Sequence, residues 1–362
     1  MTHQNIGPVL FIVGYDPGDH GWLQQSTWYR VFGPGQAMTL AGISVNYAYA
    51  TEIARITNLL KAGLARWCIL HRVSWSREFY ILLELAKKYD CKITWDLDDN
   101  TIDPRITESA VHLNSATSGY KKRLQTHIAQ QLRLLRLCDN AFFSTPELTE
   151  IASAHLRSSC TMWNYIPDFY DLQEDTLLES SWLPVIKDKF VIFYGPGSID
   201  HMIHFDLIAN TLSSFLMDHT NVTLLLGGGL PVPKIFLKFG EQIQRLPKVL
   251  PQTYFQLLKH VTVAVAPLKL DHFSSCKSWI KVLEPAYHGT VWLGSDSPNY
   301  RRFHEITGTG VLVRDQDWGL ALQDVYSKIS YYKKIARSAC IHIKNEFSWS
   351  KKLSEYLQKR PN

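Results

Sequence analysis

The sequence is poor in the features that mark the most readily assigned protein classes. Its six cysteines, at 68, 91, 138, 160, 276 and 340, form no Cys-x-x-Cys pair and no His–Cys cluster at zinc spacing. Scattered cysteines with apolar flanks predict free thiols, a reducing compartment and no structural metal. No apolar run approaches the roughly 20 residues that a membrane-spanning helix needs. Near the N-terminus, the run Val9–Val13 is too short for a signal-peptide core, and no positively charged segment precedes it. No run of five basic residues occurs, which argues against a nucleic-acid partner. A Gly-x-Ser-x-Gly elbow, a P-loop and a His-Glu-x-x-His pair are all missing, as are low-complexity segments and internal repeats. These absences predict a soluble, cytoplasmic protein whose only membrane contact would be peripheral, at the inner face.

What is present fits an ordinary globular chain, 46% hydrophobic and 20% charged. A length of 362 residues is long for one core and suits two domains. Lys and Arg outnumber Asp and Glu by 38 to 33, a net charge of +5. So mild a surplus suits a negatively charged donor or weak contact with an anionic membrane. The 11 Trp and 17 Tyr offer flat polar rings that pack sugars as well as cores.

Short apolar runs alternate with helix-length segments, the pattern of parallel sheets covered by helices on both faces. Strands are predicted at 9–13, 44–49, 66–70, 92–95, 140–143 and 161–163, then at 190–193, 223–226, 262–266, 291–293 and 311–313. Helices are predicted near 23–41, 51–63, 76–89, 118–138 and 146–157, then near 202–218, 251–259, 276–288, 298–306 and 317–337. The alternation breaks between Asn164 and Asp188, where Pro167, Pro184 and several acidic residues mark a linker. The predicted fold class is α/β. An N-terminal doubly wound domain (1–170), a linker (171–188) and a C-terminal one (189–342) precede a final helix (343–362). Two such domains would face a central cleft lined by the carboxyl ends of their strands, where ligands bind in these folds.

Four segments carry candidate chemistry. In KSWIKVLEPAYHG, helical spacing puts Lys277, Lys281, Glu284 and His288 in one stripe. Two ammonium groups and a carboxylate one to two turns on could hold opposite ends of a phosphorylated ligand; a solvated charged face is the plainer reading. In YGPGSIDH, Gly195 and Gly197 permit close backbone approach before a helix N-terminus, with Asp200 where a dinucleotide fingerprint has its third glycine. No Lys or Arg lies between Val191 and Pro233, so diphosphate charge would have to be met by Lys277 and Lys281. In TWDLDDNT, the carboxylates of Asp96, Asp98 and Asp99 repel and require solvent, a metal, a basic neighbour or raised pKa values. They could hold a divalent metal, orient an acceptor hydroxyl or take its proton, or merely form a capping turn. Finally, His20 follows the first strand and could act as a base at neutral pH, while Arg30 and Arg72 could supply positive charge.

In order along the chain, YRVFGPGQAMTLAGISV, TWDLDDN, CDNAFFSTPELTE, NYIPDFYD, FYGPGSIDHMIHFDLI, LLLGGG, PQTYFQLLKHVTVAVAPL, KSWIKVLEPAYHGT and LGSDSPNY resemble the GT-B glycosyltransferases, in particular the family 4-like group (glycosyl transferases group 1) of polysaccharide biosynthesis. The resemblance covers nearly the whole chain. It implies a metal-independent hexosyl- or deoxyhexosyltransferase, retaining by family tendency, that needs no cofactor beyond its donor. The donor would be a UDP-, GDP- or dTDP-sugar, and the acceptor a glycan, lipid-linked or small-molecule hydroxyl. Glu284 would take the ribose hydroxyls, Lys277, Ser278 and Lys281 would lie near the diphosphate, and Gly195, Gly197 and Pro267 would line the nucleotide pocket. Asp98, Asp99 and His20 would serve the acceptor side. Two departures stand out: Cys276 occupies the position of the earlier of two family glutamates, and the first C-terminal loop lacks its usual Arg or Lys. A metal-dependent phosphoryl or glycosyl transferase using Asp96–Asp99 and a non-catalytic nucleotide-sugar-binding protein are the alternatives.

Overall fold

The structure, a computed structural model, describes residues 6–14, 25–114, 116–171, 186, 189–196, 202–228 and 231–361. Twelve strands among these residues form two six-stranded sheets in which every pairing is parallel. The first sheet contains β1 (Val9–Val13), β2 (Val45–Tyr49), β3 (Trp67–His71), β4 (Lys92–Leu97), β5 (Asn140–Phe143) and β6 (Ser159–Thr161), in the order β2-β1-β3-β4-β5-β6. The second contains β7 (Phe190–Tyr194), β8 (Val222–Leu226), β9 (Ile243–Arg245), β10 (Val263–Ala266), β11 (Val291–Ser295) and β12 (Val311–Val313), in the order β12-β11-β10-β7-β8-β9. Both orders reverse direction once, the first between β1 and β3 and the second between β7 and β10. Such reversals create the crevices in which doubly wound sheets bind ligands.

The chain divides into two compact units. One runs to Phe169 and also takes Cys276–Ser278 and the segment from Phe347 onward; the other holds Tyr170–Ser275 and Trp279–Glu346. In the first, every residue of β1 and β3 is buried, as continuous apolar strands between two helical layers require. In the second, Ile192, Leu224, Val265 and Leu293 of the sheet pack with Phe205 and Leu212 of the helix Met202–Asp218 and with Trp318. Helix starts follow the local chemistry. Ser76, Thr145 and Ser297 each accept a bond from a backbone N–H in the first turn of the helix that follows.

The closing helix, Trp349–Gln358, belongs to the first unit. The Trp349 indole N–H donates to the Tyr29 carbonyl at 2.7 Å, and the Tyr356 ring lies 4.9 Å from that of Phe142. A Cβ at Gly33 would meet Trp349 Cδ1 at 2.3 Å, so this contact requires glycine.

Several boundaries differ from the sequence expectation. The helix expected over 276–288 begins only at Ile280, because Ser274–Cys276 forms a tight turn closed by Asp271, whose carboxylate accepts from the Ser274 N–H at 2.6 Å. The helix expected over 317–337 is interrupted at Lys328 into Trp318–Ser327 and Ile329–Glu346. The edge strand β9 and the 3-10 segment Lys234–Gln242 before it were not anticipated, since IQR is too short to show alternation. Of the expected linker, only Asp171 and Ile186 lie among the described residues. All six cysteines are free thiols, and no described helix is long and apolar enough to cross a membrane.

Candidate functional site

In the second unit, Gly195 follows β7 and Pro267 follows β10, so both stand at the carboxyl ends of the two strands that flank the reversal of strand order. A Cβ on Gly195 would meet the Phe193 ring at 2.8 Å and the Tyr254 hydroxyl at 2.9 Å. Phe193 and Tyr254 fill the space a side chain would take, so this close packing at the strand end requires glycine. Gly228 carries φ +72 beside the Pro196 carbonyl, a conformation that only glycine adopts without strain. Gly197 lies outside the described residues.

Glu284 is carried by the helix Ile280–Tyr287 and is only 1% exposed. This overturns the plainer expectation of a solvated charged stripe. Lys277 is not on the helix at all, and His288 is its C-terminal cap. The Tyr254 phenol donates to Glu284 Oε2 at 2.9 Å. Burial, then the Glu284 charge, pushes the Tyr254 pKa well above its ordinary value, so the phenol keeps its proton and remains a donor. The half-buried Lys281 sets its ammonium 5.9 Å from the centre of the Tyr254 ring. Pro285 removes one internal backbone bond of this helix, directly after the buried carboxylate. Tyr254 was missed at the sequence level, and no local signal in PQTYFQLL distinguishes it from a packing aromatic.

In the first unit, the acidic run at the end of β4 and in the loop after it meets basic neighbours. Asp96 is 1% exposed and lies between Arg30, whose Nε is 3.1 Å from both carboxylate oxygens, and His71 Nδ1 at 2.7 Å. Arg30 also donates to the Met162 carbonyl and to Asn164 Oδ1. It is therefore a buried anchor of the first unit, not a surface charge offered to a ligand. Burial alone would raise the Asp96 pKa; Arg30 and His71 outweigh it and hold the carboxyl below its ordinary value.

Asp98 pairs with Arg72 at 2.6 Å, and Asp99 lies 4.0 Å from Arg72 and 3.5 Å from Lys277 Nζ. Burial opposes ionisation of Asp98, but Arg72, His71 and Arg30 together keep its pKa low. The charge repulsion inherent in TWDLDD is thus met by side-chain cations. Arg72 itself adopts φ +54 directly after β3, at the reversal point of the first sheet. Such a left-handed conformation in a non-glycine residue is a frequent mark of functional sites.

The segment Cys276–Ser278 is tied to this unit by three bonds. Thr145 Oγ1 donates to the Cys276 carbonyl at 3.1 Å, Asn100 Nδ2 approaches Cys276 Sγ at 3.5 Å, and Asn164 Nδ2 donates to Ser278 Oγ at 2.9 Å. Cys276 is thus a buried thiol. His20 lies outside the described residues.

No protein-family model matches the chain, and no curated protein matches it significantly in sequence. Solved structures do match in shape. HepE from Anabaena, solved with UDP, is 11% identical with a TM-score of 0.60, over 97% of this chain and 98% of that one. The catalytic domain of starch synthase IV from Arabidopsis thaliana, bound to ADP and acarbose, is 11% identical with a TM-score of 0.66, over 98% of each chain. The chain has the GT-B fold. UDP-GlcNAc 2-epimerase from Neisseria meningitidis, solved with UDP-GlcNAc, is also similar in shape, 12% identical with a TM-score of 0.53, over 97% of this chain and 99% of that one. At these identities the likeness carries the fold alone, and function rests on the residues themselves.

Proposed function

We propose that the chain is a glycosyltransferase that moves a sugar from a nucleoside-diphosphate sugar to a hydroxyl group. The observation that carries this reading is Glu284, a carboxylate 1% exposed and bonded to Tyr254, whose hydroxyl packs against Gly195 at the carboxyl end of β7. A buried acceptor suits the paired hydroxyls of a ribose. Similar folds solved with UDP, ADP and UDP-GlcNAc support a nucleotide donor.

In this reading Glu284 accepts from the ribose, Gly195, Gly197 and Pro267 line the nucleotide, and Ser278 lies near the diphosphate. Lys281 and Lys277 meet the charge that develops on the diphosphate as it departs. The acceptor oxygen bonds to the anomeric carbon while the bond from that carbon to the diphosphate oxygen breaks, and the oxygen keeps its electron pair. The acceptor proton passes to a base, a role open to His20. Asp98, held ionised by Arg72, is too weak a base for it and instead orients the acceptor hydroxyl, with Asp99 beside it. The reading extends to a family 4-like, retaining, metal-independent enzyme. Its donor is a UDP-, GDP- or dTDP-hexose or deoxyhexose, and its acceptor a glycan, lipid-linked or small molecule of polysaccharide assembly, reached in the cytoplasm or at the membrane face.

Metal independence rests on the pairing of Asp96, Asp98 and Asp99 with Arg30, His71, Arg72 and Lys277. The likeness to a 2-epimerase motivates a second reading, conversion of the donor without transfer. Thermal-shift screening with UDP, GDP and dTDP identifies the base, since a ligand that binds only the folded state raises the melting temperature. Turnover with the matching sugar donors then tests the reaction. Transfer that persists with chelator and is abolished by Glu284→Ala is expected. Full activity of Glu284→Ala refutes the assignment, and an isomerised donor formed without acceptor selects the second reading.

A further inference from the structure

The second unit carries a concave cationic surface at the opposite end of its sheet from Gly195 and Pro267. A cavity of about 420 Å³ opens where β7, β10 and β11 begin, walled in part by Lys189, Lys259, His260, His288, Lys333 and Arg337. No carboxylate is among its described lining residues. Lys189, Lys259, Lys333 and Arg337 have no ion-pair partner among the described residues. A neighbouring cavity of about 450 Å³ shares Lys333 and Arg337 and adds Lys334.

Four uncompensated cations around one concavity repel, and low-dielectric walls strengthen the repulsion. Burial, then Arg337, already depresses the Lys333 pKa. An anion in the cavity would relieve both effects. His288 supplies a separate sign: its Nε2 is buried without a hydrogen-bond partner, and the residue lines the cavity. An unmatched buried ring nitrogen is a standing penalty that a ligand atom can remove. The volume falls within the usual range for small-molecule sites, about 300–1,000 Å³, and leaves room for more than one phosphate group. The strands separate this cavity from the Glu284 edge by about 15 Å, taking ~3.3 Å per residue.

We propose that this cavity binds an anion bearing at least two phosphate charges, through Lys189, Lys259, Lys333 and Arg337. Arg337 is suited to a bidentate grip on a phosphoryl group. A free phosphorylated metabolite and a lipid headgroup share this chemistry, and two binding assays separate them.

Inorganic pyrophosphate is titrated calorimetrically into the full chain, and vesicles containing phosphatidic acid are tested by co-sedimentation. Lys333→Ala/Arg337→Ala should weaken binding by at least about tenfold, since each charge-assisted bond contributes more than the ~1.4 kcal/mol that a factor of ten represents. Lys121→Ala/Lys122→Ala, a charge-matched change in the first unit, should leave it intact. Loss confined to pyrophosphate identifies a free metabolite; loss confined to vesicles identifies a headgroup. Unchanged binding by the Lys333/Arg337 variant, equal weakening by the Lys121/Lys122 variant, or no binding of either probe by the native chain overturns the proposal. Should the first variant fail to fold, the exposed Lys189→Ala and Lys259→Ala carry the same test.

Discussion

Replacing Arg30 with methionine tests whether the first unit depends on a buried ion pair. Arg30 and Asp96 are each 1% exposed, and the guanidinium also serves the Met162 carbonyl and Asn164. Methionine fills comparable space but leaves the Asp96 carboxylate in the interior, bonded to His71. Breaking one side of a buried pair costs about 3–5 kcal/mol, most of it the penalty for the charge left behind. The double change Arg30→Met/Asp96→Leu removes both charges and should be less destabilising than the sum of the single changes.

The pH dependence has a definite sign. In the native chain the Asp96 pKa lies below its unfolded value of about 3.9, so the pair contributes fully above that pH and is lost as pH falls through the lower folded value. Without Arg30 the buried carboxyl titrates higher, and the variant takes up its proton sooner as pH falls. Its deficit should therefore be greatest at pH 7 and shrink toward pH 4. Urea unfolding followed by far-ultraviolet circular dichroism and by tryptophan fluorescence at several pH values measures this. A deficit below about 0.5 kcal/mol, the range of ordinary surface substitutions, refutes the reasoning, as does one constant from pH 7 to pH 4.

Three further outcomes are expected. Tyr254→Phe removes one hydrogen-bond donor to the buried Glu284 and should lower stability by about 1–2 kcal/mol; an unaltered urea midpoint contradicts this. Gly195→Ala places a methyl 2.8 Å from the Phe193 ring and should lower stability by about 1–3 kcal/mol together with donor affinity, readable as a depressed melting temperature that added nucleotide fails to restore. Trp349→Ala deletes a buried indole and its bond to Tyr29; a loss of about 3–5 kcal/mol should appear in scanning calorimetry as earlier melting of the first unit.

Local pattern makes much of the fold legible. The runs VLFIV, NAFF and VLV and the seventeen-residue helix Met202–Asp218 stand where their apolar patterns place them, because a strand or helix covered by neighbours must be apolar in its own period. In the sequence, Gly195 stands out as part of a turn after a strand and Glu284 as part of a helical stripe, whereas Pro267 enters only through the resemblance. Their environments are not legible there: nothing local announces that Glu284 is buried, or that Tyr254, thirty residues earlier, supplies its hydrogen. The spacing that put Lys277 in one stripe with Glu284 also misled. Helical periodicity continues back to Cys276, but Thr145, Asn100 and Asn164 hold that segment outside the helix.

By itself, then, the sequence determined which segments become strands and helices, that two doubly wound sheets result, and where glycine and charge fall along the chain. These properties depend on neighbours within a few turns, where side-chain period and turn chemistry act. Tertiary structure alone decided the strand order and the partner of each charge. Arg30 meets Asp96 across 66 residues and Lys277 meets Asp99 across 178, distances at which no local preference specifies a pairing. The acidic run at the end of β4 and in the loop after it could have awaited a metal, a substrate or solvent; packing placed arginine, histidine and lysine against it, because charges brought into a folded interior must be matched by whatever the fold puts beside them.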